Sequence, residues 1–128
     1  MKLRIRGNTL RLRLSRTEVD ELAARGEVHD GITFGPAAGE RLGYSLVTSD
    51  DATAASAHLS SKGITVTLRR ALALDWASSD AVGLDAQQAI GTGEALKILV
   101  EKDFACLKPR EGEDDADAFP NPEKSSTG

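Results

Sequence analysis

A single cysteine, Cys106, among 128 residues rules out an intrachain disulfide and gives no sign of an oxidising compartment. Aromatic side chains are scarce, with one Trp, one Tyr and three Phe. The core therefore has to be built from Leu, Val, Ile and Ala, and a base-stacking surface, which needs exposed rings, is disfavoured. No apolar run approaches the roughly 20 residues that span a bilayer, and the opening MKLRIRGN lacks the apolar stretch of a signal peptide. The expectation is a cytoplasmic protein with no membrane segment. His29 and His58 lie far apart, and without a Ser or Cys at a recognisable elbow they make no catalytic triad. Gly31, Gly35, Gly39 and Gly43 look glycine-rich but do not follow a strand and open a helix, which excludes a dinucleotide or phosphate loop. No enzyme activity and no cofactor are expected.

What the chain does have is charge, unevenly spread. It is 40% apolar and 28% charged, with net charge −4 and pI near 5.2, so sequence-blind binding to nucleic acid by the whole molecule is disfavoured. Yet residues 1–26 hold seven Lys/Arg against three acids, and residues 108–128 hold three against six. The stretch RIRGNTLRLRL, residues 4–14, packs four arginines into a short strip.

That strip alternates charged and apolar residues on both sides of Gly7-Asn8, the pattern of a β-hairpin with a type II′ or I′ turn. Ser15-Arg16-Thr17-Glu18 has capping-box spacing, flanked by Leu14 and Val19 as a hydrophobic staple, and Arg25-Gly26 closes a helix over 16–25. Strand-like runs follow at 28–34, 42–48, 54–59 and 64–69, divided by Gly-, Pro-, Ser- and Asp-rich turns. Residues 70–79 place Leu72 and Trp76 one turn apart, as in a short helix packed on a sheet. Runs 82–88 and 94–103 are set to pair across Gly91-Thr92-Gly93, and no internal repeat is visible. The expected fold is α+β: a mainly antiparallel sheet of six or seven strands, curled toward a half-barrel, with two short helices in one domain over 1–107. Residues 108–128 read as an acidic, Pro-containing flexible tail.

A two-residue turn sets Arg4 opposite Arg11 and Lys2 opposite Arg13, all on one side, and like charges directly opposite destabilise by up to roughly 1 kcal/mol per pair. Arg4, Arg6, Arg11 and Arg13 are therefore the candidate anion or partner contacts, and Glu101 and Asp103 the candidate acidic counter-surface. Phe119 and Pro120, in Phe119-Pro120-Asn121-Pro122, are the candidate tail anchor. Cys106 among carboxylates is a mismatched donor set for any one metal, and its spacing fits neither an EF-hand nor a zinc site, so no metal is expected.

The opening MKLRIRGNTLRLRLSRTEV, the motif Leu99–Leu107 (LVEKDFACL) and the closing DAFPNP together resemble a family of small bacterial hypothetical proteins of unknown function. That resemblance covers nearly the whole chain and implies a free-standing domain without supplying an activity. A weaker likeness runs to the swapped-hairpin antitoxin and transition-state regulators, which also begin with strand, Gly-Asn, strand and short helix, although Ser15 stands where their proline introduces the helix. The functional expectation is a non-enzymatic accessory or binding module with a basic hairpin face and an acidic tail. Its expected partner is an acidic protein or its own tail; the oligomeric state is left open. A DNA-binding regulator of swapped-hairpin type is the alternative.

Overall fold

The computed structural model describes residues 1–104. Cys106, Phe119, Pro120 and the rest of the tail lie outside them, so the tail-anchor expectation is not addressed by the fold. In chain order the elements are β1 (Lys2–Arg6), β2 (Thr9–Leu14), α1 (Arg16–Arg25), β3 (Glu27–Thr33), β4 (Arg41–Ser49), β5 (Ala55–Ser60), β6 (Gly63–Arg69), α2 (Arg70–Ser78), β7 (Gly83–Ala89) and β8 (Ala95–Lys102), with one 3-10 turn at Ala38–Glu40.

The local signals act as the residues dictate. Gly7 has φ +55° and, among the described residues, no non-glycine has positive φ, which makes the β1–β2 turn type II′. The register pairs Arg4 with Arg11 and Lys2 with Arg13. At α1, the Glu18 N–H donates to Ser15 Oγ at 3.3 Å and the Ser15 N–H donates to Glu18 Oε1 at 2.9 Å, completing the capping box. Gly26 ends the helix in the left-handed region with φ +79°, its N–H donating to the Leu22 carbonyl. In α2 the inward pair is Ala73 and Trp76; Leu72 is exposed, so the sequence expectation is off by one position there.

The expected single sheet is instead two four-stranded sheets, ordered β1-β2-β8-β7 and β3-β4-β6-β5, and they do not close a barrel. Each holds two antiparallel hairpins joined by a central parallel pair, β2 with β8 and β4 with β6. The arrangement is an internal duplication. Shifting numbers by 54 turns the pair Arg4–Arg11 into His58–Thr65 and the pair Leu12–Val100 into the pair Val66–Leu46. Hairpin, helix and hairpin occur twice, β1-β2-α1-β3-β4 and β5-β6-α2-β7-β8. Each sheet takes its first hairpin from one half and its second from the other.

The core lies where the two sheets and two helices meet. Leu10, Leu12, Leu14, Ile98 and Val100 come from the first sheet, and Val28, Leu46, Ala57, Val66 and Leu68 from the second. Val19 and Leu22 of α1 face Ala73 and Trp76 of α2, helices that pack on each other. At equivalent positions a small residue beside a large one in α2 replaces two mid-sized ones in α1, which conserves filled volume. The Trp76 indole N–H reaches the Val82 carbonyl at 3.2 Å, so the largest core side chain leaves no buried donor unpaired.

Two different devices hold the seams between sheets. At β5 and β7, the Gln88 amide accepts from the Ala57 N–H at 2.7 Å and donates to the Ala57 carbonyl at 3.0 Å, acting as one step of strand ladder. On the other side the Met1 ammonium donates to the Glu18 and Asp30 carboxylates, and the Tyr44 hydroxyl donates to the Met1 carbonyl at 3.0 Å.

A basic face on one of two equivalent sheets

Alternation decides which residues reach the outside of the first sheet. Leu10, Leu12 and Leu14 point inward, so Thr9, Arg11 and Arg13 point out, and the register brings Lys2, Arg4 and Arg6 of β1 beside them. The parallel pairing with β8 adds Lys97, Leu99 and Glu101 to the same face, and β7 adds Asp85 and Gln87. The face thus reads in rows: Lys2, Arg13, Glu101; then Arg4, Arg11, Leu99, Asp85; then Arg6, Thr9, Lys97, Gln87.

Its two ends differ electrostatically. At the helix-facing end, Lys2 Nζ lies 2.9 Å from Asp103, and Glu101 Oε1 lies 3.3 Å from Arg11 Nε and 3.7 Å from Arg13. Arg11 Nε and Glu101 Oε1 are within ion-pair range yet make no aligned hydrogen bond; the carboxylate serves as a shared counter-charge between two guanidinia. Toward the Gly7-Asn8 turn, no ion pair among the described residues reaches Arg4, Arg6 or Lys97. Arg4, Arg6, Gly7, Asn8, Thr9 and Arg11 line an open depression of about 630 Å³ there.

The sequence-derived sites therefore divide. Arg11, Arg13, Glu101 and Asp103 come together as basic strip and acidic counter-surface, while Arg4 and Arg6 share the face but not the acids. Lys97 was missed. Its own alternation with Leu96 and Ile98 marks it as outward, but only the long-range β2–β8 register puts it beside Arg6.

The duplication supplies a comparison within the molecule. Under the 54-residue shift, Lys2, Arg4, Arg6, Arg11 and Arg13 correspond to Ser56, His58, Ser60, Thr65 and Thr67, and Lys97 corresponds to Gly43. The second outward face carries no Lys or Arg at those six positions; its own arginines, Arg41 and Arg69, stand at strand ends.

Other clusters are explained by packing. His29 Nδ1 lies 2.7 Å from Ser45 Oγ and His29 Nε2 lies 2.8 Å from Glu27 Oε1, a Ser–His–Glu chain the sequence did not reveal. It follows from His29 pairing with Ser45 across β3 and β4 and from Glu27 lying two residues back on the same face. It stands exposed on the outward face of the sheet. The Met1 ammonium is different in kind. Burial opposes its charge, but the hydrogen bonds to Glu18 and Asp30 outweigh burial and hold its pKa above the ordinary value. Burial would raise Glu18, yet the ammonium and Ser15 bonds lower it; Asp30 is lowered chiefly by the ammonium bond. Among the described residues no group of three or more His, Cys, Asp or Glu is placed to hold a metal ion, and no helix is long and apolar enough to cross a membrane.

Comparison with known families matches residues 1–123 to a family described as of unknown function, DUF7009. No curated protein and no solved structure matches the chain.

Proposed function

The chain belongs to DUF7009, and we propose that it is a non-enzymatic binding module whose basic sheet face takes an acidic polypeptide segment. One observation carries this reading: two sheets of the same topology present equivalent outward faces, and only one is basic. The scaffold is built equally well with Ser, Thr and His at those positions, so folding does not require the arginines. Placing Arg4 opposite Arg11 even works against the hairpin. Charge that the fold does not need, and that repels itself, serves a contact beyond the sheet. Guanidinium forks on adjacent strands, about 4.8 Å apart, suit bidentate contact with carboxylates. The absence of rings and of a groove-entering element on this face argues against base readout.

The DNA-binding alternative draws on one specific feature, the interleaving of hairpins from two halves, which is the arrangement implied by the likeness to swapped-hairpin regulators. A two-fold symmetric operator calls for two equivalent contact surfaces, whereas here one of the pair carries only Arg41 and Arg69, against Glu27. The test is fluorescence anisotropy with a labelled ten-glutamate peptide and a labelled DNA duplex. The peptide should bind with an affinity that falls with added salt, and Arg4→Glu with Arg6→Glu should weaken it at least tenfold. Stronger binding of the duplex, lost in the same double variant, would favour the regulator instead.

A further inference from the structure

We infer that the resting occupant of the basic face is the chain's own acidic stretch, Glu111 to Asp117, and that an external acidic partner must displace it. The inference rests on the binding-module reading and adds a built-in competitor.

Three features converge on it. The first is where the chain leaves the fold. β8 ends at Lys102, and Asp103 sits at the edge of the basic face with its carboxylate 2.9 Å from Lys2 Nζ and its N–H donating to the Leu14 carbonyl at 2.7 Å. The second is reach. Glu111 lies seven positions beyond Phe104, a span of up to about 25 Å when extended, while the face from Lys2 to Arg6 is about 13 Å long. The third is charge. Glu111, Glu113, Asp114, Asp115 and Asp117 give five carboxylates within seven positions, and Arg4, Arg6 and Lys97, which no ion pair among the described residues reaches, lie at the far end of the face. The fold's own acids neutralise the near end, Lys2, Arg11 and Arg13, and stop there. The second sheet, whose outward face carries only Arg41 and Arg69 against Glu27, is followed by no comparable acidic run: after β4 only Asp50 and Asp51 precede the second half.

A short tether holds such a stretch at an effective concentration in the millimolar range. A weak intramolecular contact of this kind lowers the apparent affinity of a competing peptide by roughly three- to tenfold at low salt, and 0.5 M salt, with a Debye length near 4 Å, removes most of the effect.

Two measurements on the full chain test this. Zero-length carbodiimide coupling, read by mass spectrometry, should join carboxylates of 111–117 to Lys97 or Lys2 at low salt, independently of dilution and suppressed at 0.5 M salt. Coupling to Lys62, in the β5–β6 turn of the other sheet, should be at background. Coupling no greater at Lys97 and Lys2 than at Lys62 overturns the inference. In parallel, the variant Glu111→Gln, Glu113→Gln, Asp114→Asn, Asp115→Asn, Asp117→Asn should bind the ten-glutamate peptide three- to tenfold more tightly than the native chain at low salt. Equal affinities, with Arg4→Glu/Arg6→Glu still weakening both at least tenfold, overturn the internal competitor while leaving the binding module standing. Peptide binding indifferent to Arg4→Glu/Arg6→Glu in either background would instead overturn the binding module itself.

Discussion

The Met1 ammonium is held between Glu18 and Asp30, and one of these carboxylates also completes the cap of α1. This double use makes stability pH-dependent from both sides. The ammonium's pKa is raised on folding, so its contribution is complete below its ordinary value near 8 and is lost as pH climbs through the raised value. Glu18 and Asp30 are lowered, so theirs is present above the usual carboxylate range and lost as pH falls through the lowered values. Chemical denaturation from pH 3 to 10 should trace a plateau between about 5 and 8. Glu18→Gln keeps a side-chain acceptor for the Ser15 N–H but loses the ion pair. It should cost about 1 kcal/mol at pH 7 and flatten the alkaline limb; an alkaline limb of unchanged slope would assign it elsewhere. None of this was legible in the sequence, because the cluster draws Met1, Glu18, Asp30 and Tyr44 from four separate elements or ends. The cap of α1 was legible, because its partners are three residues apart.

At the scale of elements, whatever is local could be read in advance. The β1–β2 hairpin, its register, both helices and the β7–β8 pairing follow from alternation, turn residues and caps within short windows. The parallel pairs β2–β8 and β4–β6 could not be read, since pairing across most of the chain leaves no local trace. Nor could the duplication: Leu14 and Leu68, Arg16 and Arg70, and Ala23 and Ala77 match under the shift, but the outward positions differ in chemistry and mask the shared apolar pattern. The basic strip was visible as a strip and became a face only when β8 brought Lys97 and Glu101 beside it. The seam at Gln88 shows how an element-scale contact can depend on one side chain. Gln88→Leu should leave the Ala57 N–H and carbonyl without those partners and cost about 1–3 kcal/mol. Hydrogen exchange should then rise first at Ala57 and its neighbours in β5; a loss spread evenly over both sheets would contradict the role given to the amide.

For the whole molecule, the sharing of hairpins between sheets means that neither half has a complete sheet of its own. Denaturant unfolding of this chain should be a single transition by fluorescence of Trp76, which lies in the second half, and by circular dichroism, which reports on both. Two separated transitions would mean that the halves are independently stable. The same interleaving bears on synthesis. A ribosome adding about 5–20 residues per second releases β1-β2-α1-β3-β4 several seconds before β8 is available. During that interval the first half presents two sheet edges, on β2 and β4, and the apolar faces of both hairpins with no mate. On a polysome the nearest chain with matching edges is another nascent copy, so speed of translation past Asp51 helps set the balance between closure within one chain and exchange between two. Slowing codons placed in the stretch for residues 85–100, read once the first half has left the ribosome, should raise the yield of exchanged dimers without altering a single amino acid.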